Sequence, residues 1–217
     1  MEVGISLGHH NSTVEYLDFA IVGGGVAGLS VANQLVDQNI DITLIEGSSY
    51  PKHKVCGEVL SPECHPILEQ WDLPFSRSIS HVEYIVNKQS YLFPLPLNLG
   101  SCSRYKLDSQ LYQRAVSKGL KAKLNTQVKH ILIFPDELYP YELILSTHTS
   151  VKTKTLFLGT KSLLASLWKP PRYTRAYLGF KAHFKDPSNE SRLKMVINKK
   201  GYYGVCPLGN SYQNLAG

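Results

Sequence analysis

Three glycines and one carboxylate mark the first place in this chain where chemistry is written into spacing. Gly23, Gly25 and Gly28 fall at G-x-G-x-x-G. Such a turn bends sharply at the first glycine, lets the backbone approach a pyrophosphate at the second, and packs a following helix closely at the third. Each role requires the absence of a side chain. With Val26 and Ala27 between them, the last two glycines open a helix whose free N–H groups and positive dipole end face a phosphate. Glu46 stands roughly 20 residues further on, where a carboxylate accepts both hydroxyls of an adenosine ribose and repels a 2′-phosphate. The chemistry implied is recognition of an adenine dinucleotide, with NADP disfavoured at this site.

Those residues need elements to hold them, and the flanking sequence carries the pattern. Phe19, Ala20, Ile21 and Val22 form a short apolar run into the glycines, which suits a strand buried on both faces of a parallel sheet. Leu29, Ala32, Leu35 and Val36 recur at helical spacing, with Asn39 as the stop. Ile40, Ile42, Leu44 and Ile45 form the second strand, which delivers Glu46 at its end. Strand, turn, helix and strand thus run from Asp18 to Glu46, a context that makes the glycine spacing far more specific than it is alone.

The 217 residues, 43% of them hydrophobic, suffice for one large domain or somewhat more. Cys56, Cys64, Cys102 and Cys206 are scattered, with no C-x-x-C pair and no metal-ligand cluster, which fits reduced thiols in a cytosolic protein. No apolar run reaches the roughly 18 residues that span a bilayer. Residues 1–17 lack the basic start and continuous apolar core of a signal peptide and read as a loose lead-in. The net charge of +6 is uneven: residues 1–149 carry −4, whereas residues 150–217 carry +10. A basic C-terminal part suits an anionic substrate, a nicotinamide cofactor, an acidic carrier protein or a membrane surface, and a solvated basic face is the plain alternative. No nucleic-acid recognition motif accompanies the charge.

Beyond Glu46 a polar loop leads into K-V-C-G-E-V-L-S-P-E, where Ser61 and Pro62 suit a helix start and Leu68 and Trp71 its apolar face. From His81 to Leu97, aromatic and β-branched residues flank a polar break at 87–90, which predicts a hairpin. Arg104 precedes a helix with Leu107, Leu111, Ala115 and Val116 on its apolar side and Gly119 at its close. Residues 120–159 read as three short strands. The last 40 residues read as three or four antiparallel strands with turns at 187–189 and 199–201.

The glycine turn together with K-V-C-G-E-V-L-S-P-E resembles the FAD-dependent oxidoreductases of the geranylgeranyl reductase and group A flavoprotein monooxygenase superfamily. The resemblance implies an α/β fold: a Rossmann-like FAD-binding domain with an inserted antiparallel β substrate domain, C-terminally incomplete. On that pattern residues 18–80 form the FAD-binding core after a 1–17 extension, and 81–100 give strands to the substrate domain. Residues 101–168 then continue the FAD-binding domain with a β-meander, and 169–217 form the substrate-domain sheet. By the same likeness Lys54, Cys56, Gly57 and Glu58 form a loop near the flavin ring, and Arg104 lies close to the FAD phosphates. Val128 would meet the adenine side through its backbone, and Gly159 would end the strand returning to the parallel sheet. Tyr91, Phe93, His183, Tyr202 and Tyr203 are candidates for a substrate cavity. An ordinary ion pair for Arg104, a small buried residue at Cys56 and plain packing for the aromatic residues stay open beside these roles. Lys161 stands where aromatic hydroxylases carry an aspartate, which implies a positive charge near phosphates.

The activity implied is that of an FAD-dependent oxidoreductase, monooxygenase-like, acting on a small hydrophobic or aromatic substrate with NAD(P)H as reductant. Two alternatives stand beside it. One is a reductase that passes hydride to an unsaturated lipid chain. The other is a non-catalytic nucleotide-binding remnant, because the likeness ends at Gly217 before the family's second FAD motif, which a complementing chain would have to supply. An NAD-dependent dehydrogenase fits K-V-C-G-E-V-L-S-P-E and Arg104 less well. The expected location is cytoplasmic, with or without peripheral attachment to a membrane.

Overall fold

A computed structural model of the chain describes residues 14–160, 178–188, 190–199 and 201–217. Two compact units emerge, one from Met1–Ser49 and Ala115–Pro170, the other from Tyr50–Arg114 and Pro171–Gly217. The nucleotide-type fold is therefore shorter than expected after Glu46: residues 50–80 belong to the second unit, with the strands assigned to a substrate domain.

The first unit is a six-stranded sheet. β1 (Val14–Val22), β2 (Thr43–Ile45) and β6 (Lys121–Lys123) run parallel, and β9 (Ser150–Leu158) lies parallel to β1 on its other side. The sheet is completed by β7 (Val128–Ile133) and β8 (Tyr141–Leu145), which form an antiparallel meander with β9, giving the order β6-β2-β1-β9-β8-β7. One face of the sheet buries Ala20, Val22, Ile45, Leu143, Leu145 and Val151 as a single cluster. Ile21 and Leu44 alternate to the other face and are fully buried. Helix α1 (Val26–Val36) buries Leu29, Ala32 and Val36, the residues whose spacing predicts it. It stops where Asn39 adopts φ 58°, the left-handed conformation that asparagine tolerates better than most residues.

Three boundaries differ from the sequence expectation. β1 begins at Val14, inside the expected lead-in, because its first residues gain ladder bonds to β9 rather than burial. The second strand is only Thr43–Ile45, and Ile40 is exposed beyond the helix stop. Residues 120–134 contain two strands, not one; β6 extends the parallel part and β7 opens the meander.

The second unit carries a seven-stranded sheet. Its strands are β3 (Val59–Leu60), β4 (Ser76–Val86), β5 (Gln89–Ser101), β10 (Lys181–Lys185), β11 (Arg192–Asn198), β12 (Gly201–Gly209) and β13 (Tyr212–Ala216), in the order β10-β13-β12-β11-β4-β5-β3. The expected hairpin is β4–β5, turned by Asn87 and Lys88 at φ 50° and 67°, the pair of left-handed residues that a two-residue hairpin turn needs. The four C-terminal strands pair antiparallel among themselves, but β11 joins the hairpin in parallel with β4. A single 3-10 turn (Pro62–Cys64) leads into α2 (His65–Gln70), where Leu68 and Trp71 are buried as expected. Helix α3 (Arg104–Ser117) buries Leu107, Leu111 and Ala115. Among the described residues no helix is long and apolar enough to cross a membrane.

Candidate functional sites in the two units

In the first unit the glycine turn follows β1, Glu46 follows β2 and Gly159 follows β9. All three stand at the carboxyl ends of parallel strands, where open α/β sheets bind ligands. Gly23 has φ 99°, a conformation that side chains rarely adopt. A Cβ on Gly28 would lie 2.0 Å from the Gly23 carbonyl oxygen, and a Cβ on Gly159 would lie 2.8 Å from the same atom. Helix start, turn and returning strand therefore cross backbone against backbone, which explains Gly159 as well as the fingerprint glycines.

Gly25 is the N-cap of α1; it offers no side-chain cap, and the first turn carries no acidic residue. The first turn itself carries no carboxylate, so the arrangement fits an anionic pyrophosphate. The N–H groups of Val26 and Ala27 belong to the first turn, whose donors have no partner within a helix. Glu46 is 8% exposed. One carboxylate oxygen accepts the Gly24 N–H at 2.6 Å, and the other accepts the Ser48 N–H at 3.0 Å and the Ser48 hydroxyl at 2.7 Å. These donors lock the acid beside the turn, and a carboxylate has about four lone-pair sites with which to accept hydroxyl donors. Val128 opens β7, and its side chain packs in the sheet core.

In the second unit the K-V-C-G-E loop is organised by Glu58, a residue whose weight the sequence did not reveal. Its side chain has no exposure, and its backbone takes φ 62°, a strained conformation for a residue with a side chain. One carboxylate oxygen accepts the backbone N–H of Arg104 at 2.6 Å and a bond from Lys181 Nζ; the other meets His183 Nε2 at 2.6 Å. The Glu58 N–H donates to Cys56 Sγ at 3.4 Å, and Asn214 Nδ2 donates to the Cys56 carbonyl at 2.9 Å. Helix α3, strand β10 and strand β13 thus converge on the three residues from Cys56 to Glu58. The available signal was the alternation Lys181, His183, Lys185 along β10, which marks a polar strand face; its first two residues turn to a buried acid, and Lys185 is exposed.

Arg104 gives two guanidinium donors to the fully buried Asp108, at 2.6 and 2.7 Å. That hydrogen-bonded pairing holds the guanidinium pKa above its ordinary value against the opposing effect of burial. The ion-pair alternative thus describes what the side chain does within this unit. Lys54 is exposed. All four cysteines are free. Burial pushes the thiols of Cys102 and Cys206 up to about 11 and about 12, so both stay protonated at neutral pH.

A cavity of about 800 Å³ lies against the loop. Cys56, Gly57, Leu193, Met195, Phe180 and Tyr202 are among its walls, and among the described residues no charged one lines it. The five pocket candidates separate here. Tyr202 stands at the rim, 63% exposed. Tyr203, its neighbour on β12, alternates to the opposite sheet face. His183 is taken by Glu58 and opens on a different, polar cavity of about 470 Å³ beside Lys106 and Asn210. Tyr91 and Phe93 line neither; they are 47% and 51% exposed on β5, with Phe93 edge-on to Tyr84. Lys161 lies outside the described residues.

The family model of the NAD(P)-binding Rossmann-like domain matches residues 21–51, the stretch that holds the glycine turn and Glu46. No curated protein matches the chain in sequence. Solved structures match it closely in fold. A flavoprotein/dehydrogenase from Cytophaga hutchinsonii superposes with a TM-score of 0.72 at 18% identity, over 93% of this chain and 55% of its own. PqsL from Pseudomonas aeruginosa, a probable FAD-dependent monooxygenase, gives 0.70 at 14% identity over 93% and 60%. A geranylgeranyl bacteriochlorophyll reductase-like protein from Thermoplasma acidophilum gives 0.69 at 16% over 94% and 56%. The chain spans little more than half the length of these proteins. Its fold, a Rossmann-like unit together with a second, mostly antiparallel sheet, is the one these solved structures share.

Proposed function

We propose that the chain provides the nucleotide-binding and substrate-binding parts of an FAD-dependent oxidoreductase, monooxygenase-like, acting on a hydrophobic substrate. The observation that carries this reading is the uncapped, acid-free N-terminus of α1 beside the locked carboxylate of Glu46, at the carboxyl ends of the parallel strands. Gly23, Gly25 and Gly28 would admit the pyrophosphate, and Glu46 would hold the ribose. When bound, the flavin would supply the redox chemistry. The chain's own residues bind and orient: the loop from Lys54 to Glu58 is fixed by Glu58, and the apolar cavity offers a hydrophobic surface to what it holds. A reduced nicotinamide is the electron donor this reading calls for. The second reading, reduction of an unsaturated chain, is favoured by the same cavity, whose described walls carry no charged residue.

The basic C-terminal part supports a docking role for an acidic carrier or a membrane only weakly. Lys152, Lys154, Lys181, Arg192 and Lys194 are all in ion pairs, which leaves Lys185 and Lys199 as its unpaired cations among the described residues.

The test is the visible spectrum of the purified 217-residue chain with and without FAD, with equilibrium dialysis of the wild type, Gly25→Val and Glu46→Ala. Stoichiometric flavin that Gly25→Val abolishes and Glu46→Ala weakens about tenfold or more is expected. A folded wild type that ignores FAD would move the chain to the non-catalytic reading.

A further inference from the structure

We infer that the 800 Å³ cavity of the second unit takes an uncharged, elongated apolar molecule, whose chain runs on from the cavity along one face of the sheet. This rests on the reading of that cavity as the substrate site. The charge argument comes first. Every described wall residue is apolar, a glycine, a thiol or a phenol. Lys181, which alternates onto the sheet face of Ala216, is consumed by Glu58 and offers nothing to a ligand. An ionised group carried into these walls would lose its water and gain no partner.

The shape argument comes from register. Leu193 and Met195 line the cavity from β11. Leu193 pairs with Val82 and Val82 with Phe93; Met195 pairs with Tyr84 and Tyr84 with Tyr91. Paired residues share a face, so the apolar wall continues across β4 and β5, at roughly 4.8 Å per strand. Along the paired stretch, residues 192–197 of β11 and 81–86 of β4, the charged residues Arg192, Lys194 and Glu83 alternate to the other face and pair among themselves or with Glu190. Tyr84, Tyr91 and Phe93 are about half exposed, an aromatic lane leading away from a charge-free cavity. A compact ring would fill only the cavity. A chain would cover both.

The test is displacement of the neutral probe N-phenyl-1-naphthylamine from the 217-residue chain by 1-hexanol, 1-octanol and 1-decanol, with decanedioate as the control that must carry a carboxylate inward. Affinity should rise roughly fourfold per methylene, about 15-fold per step of the series. Decanedioate should bind at least tenfold more weakly than 1-decanol. A Cβ on Gly57 meets no atom within 4 Å, so Gly57→Leu should fold, fill the cavity and lower 1-decanol affinity at least tenfold. Phe93→Ser, at an exposed position, should weaken 1-hexadecanol delivered from cyclodextrin several-fold and leave 1-octanol unchanged. Equal binding of decanedioate and 1-decanol would overturn the charge argument; equal effects of Phe93→Ser on both alcohols would overturn the lane. Displacement of the probe by FAD alone would give the cavity to the cofactor and end the proposal. Alkanol binding in a chain that ignores FAD would uphold the cavity assignment while the flavin reading fails by itself.

Discussion

Both units of this chain are built around a buried acid, and they use it in opposite ways. Glu46 takes its bonds from neutral donors close to it in the fold of one βαβ unit: Gly24 N–H and the Ser48 N–H and hydroxyl. These bonds hold it beside the glycine turn. Glu58 takes Lys181 and His183 from strand β10, 123 and 125 residues away, together with the first N–H of α3. Its charge is absorbed within the unit. The first arrangement sets a carboxylate beside the glycine turn; the second ties distant segments together and fixes the loop that walls the cavity. Burial of an acid therefore says little about its task until its partners are sorted into neutral donors and cations.

The strongest way to break this contrast is Glu58→Ala. It leaves Lys181 and His183 without the acid they surround, and removing one partner of a buried ion pair costs about 3–5 kcal/mol. Urea unfolding followed by hydrogen exchange should show the loss in the second unit, with β10 and the start of α3 opening first. Glu58→Gln keeps acceptor and shape and should lose less. A change below about 1 kcal/mol for Glu58→Ala would mean that the junction does not hold the loop.

The next effect separates the glycines of the two units. Gly28→Ala places a methyl 2.0 Å from the Gly23 carbonyl oxygen, backbone against backbone, and should cost about 1–3 kcal/mol and disable the helix N-terminus for a nucleotide. Gly57→Ala meets nothing within 4 Å and should stay within about 0.5 kcal/mol of wild type. Similar losses for both, read from thermal unfolding, would remove the distinction between a glycine required by packing and one that leaves room for a ligand.

The thiols give a third comparison, read by mass spectrometry after brief iodoacetamide treatment at pH 8. Cys102 and Cys206, buried and held protonated, should remain almost unlabelled while Cys56 and Cys64, both partly exposed, react first. Prompt labelling of Cys206 in the folded chain would show that the cavity wall opens readily.

What could be read from sequence follows from how far apart the partners are. The glycine turn, α1 with its Asn39 stop, the β4–β5 hairpin and the β7–β8–β9 meander are each specified within a short window, by period, by a left-handed stop residue or by a polar break. β1 between Val14 and Asp18 was missed because ladder bonds to β9 hold it while its side chains stay largely exposed, so no alternation marks it. The parallel pairing of β11 with β4 joins residues more than a hundred positions apart and has no local trace. Glu58 could be placed in the loop by resemblance, but its partners Lys181 and His183 are ordinary residues of a polar strand until the fold brings them in. His183 and Tyr203 are grouped with Tyr202 by the family resemblance; strand alternation and a buried acid separate them.

The smallest expected effect lies outside both sites, on the charged face of the second sheet, and it calibrates the others. Glu190 accepts from Arg192 at 3.0 and 3.3 Å and from Lys194 at 2.5 Å, which holds its carboxyl down at about 2, from an ordinary 4.5. A depressed carboxylate contributes stability that is fully present above its unfolded pKa and is lost as pH falls through its folded one. The window is therefore pH 4.5 down to 2. The partners are partly exposed, so screening limits the contribution to no more than about 1 kcal/mol despite the large shift. Glu190→Gln should lower the melting temperature by about 2–4 °C at most at pH 7, less in added salt, and the gap to wild type should shrink as the pH falls below 4.5. A loss as large as that of Glu58→Ala would show that this sheet depends on its charged face as much as on its buried acid, and the contrast between the two would have to be redrawn.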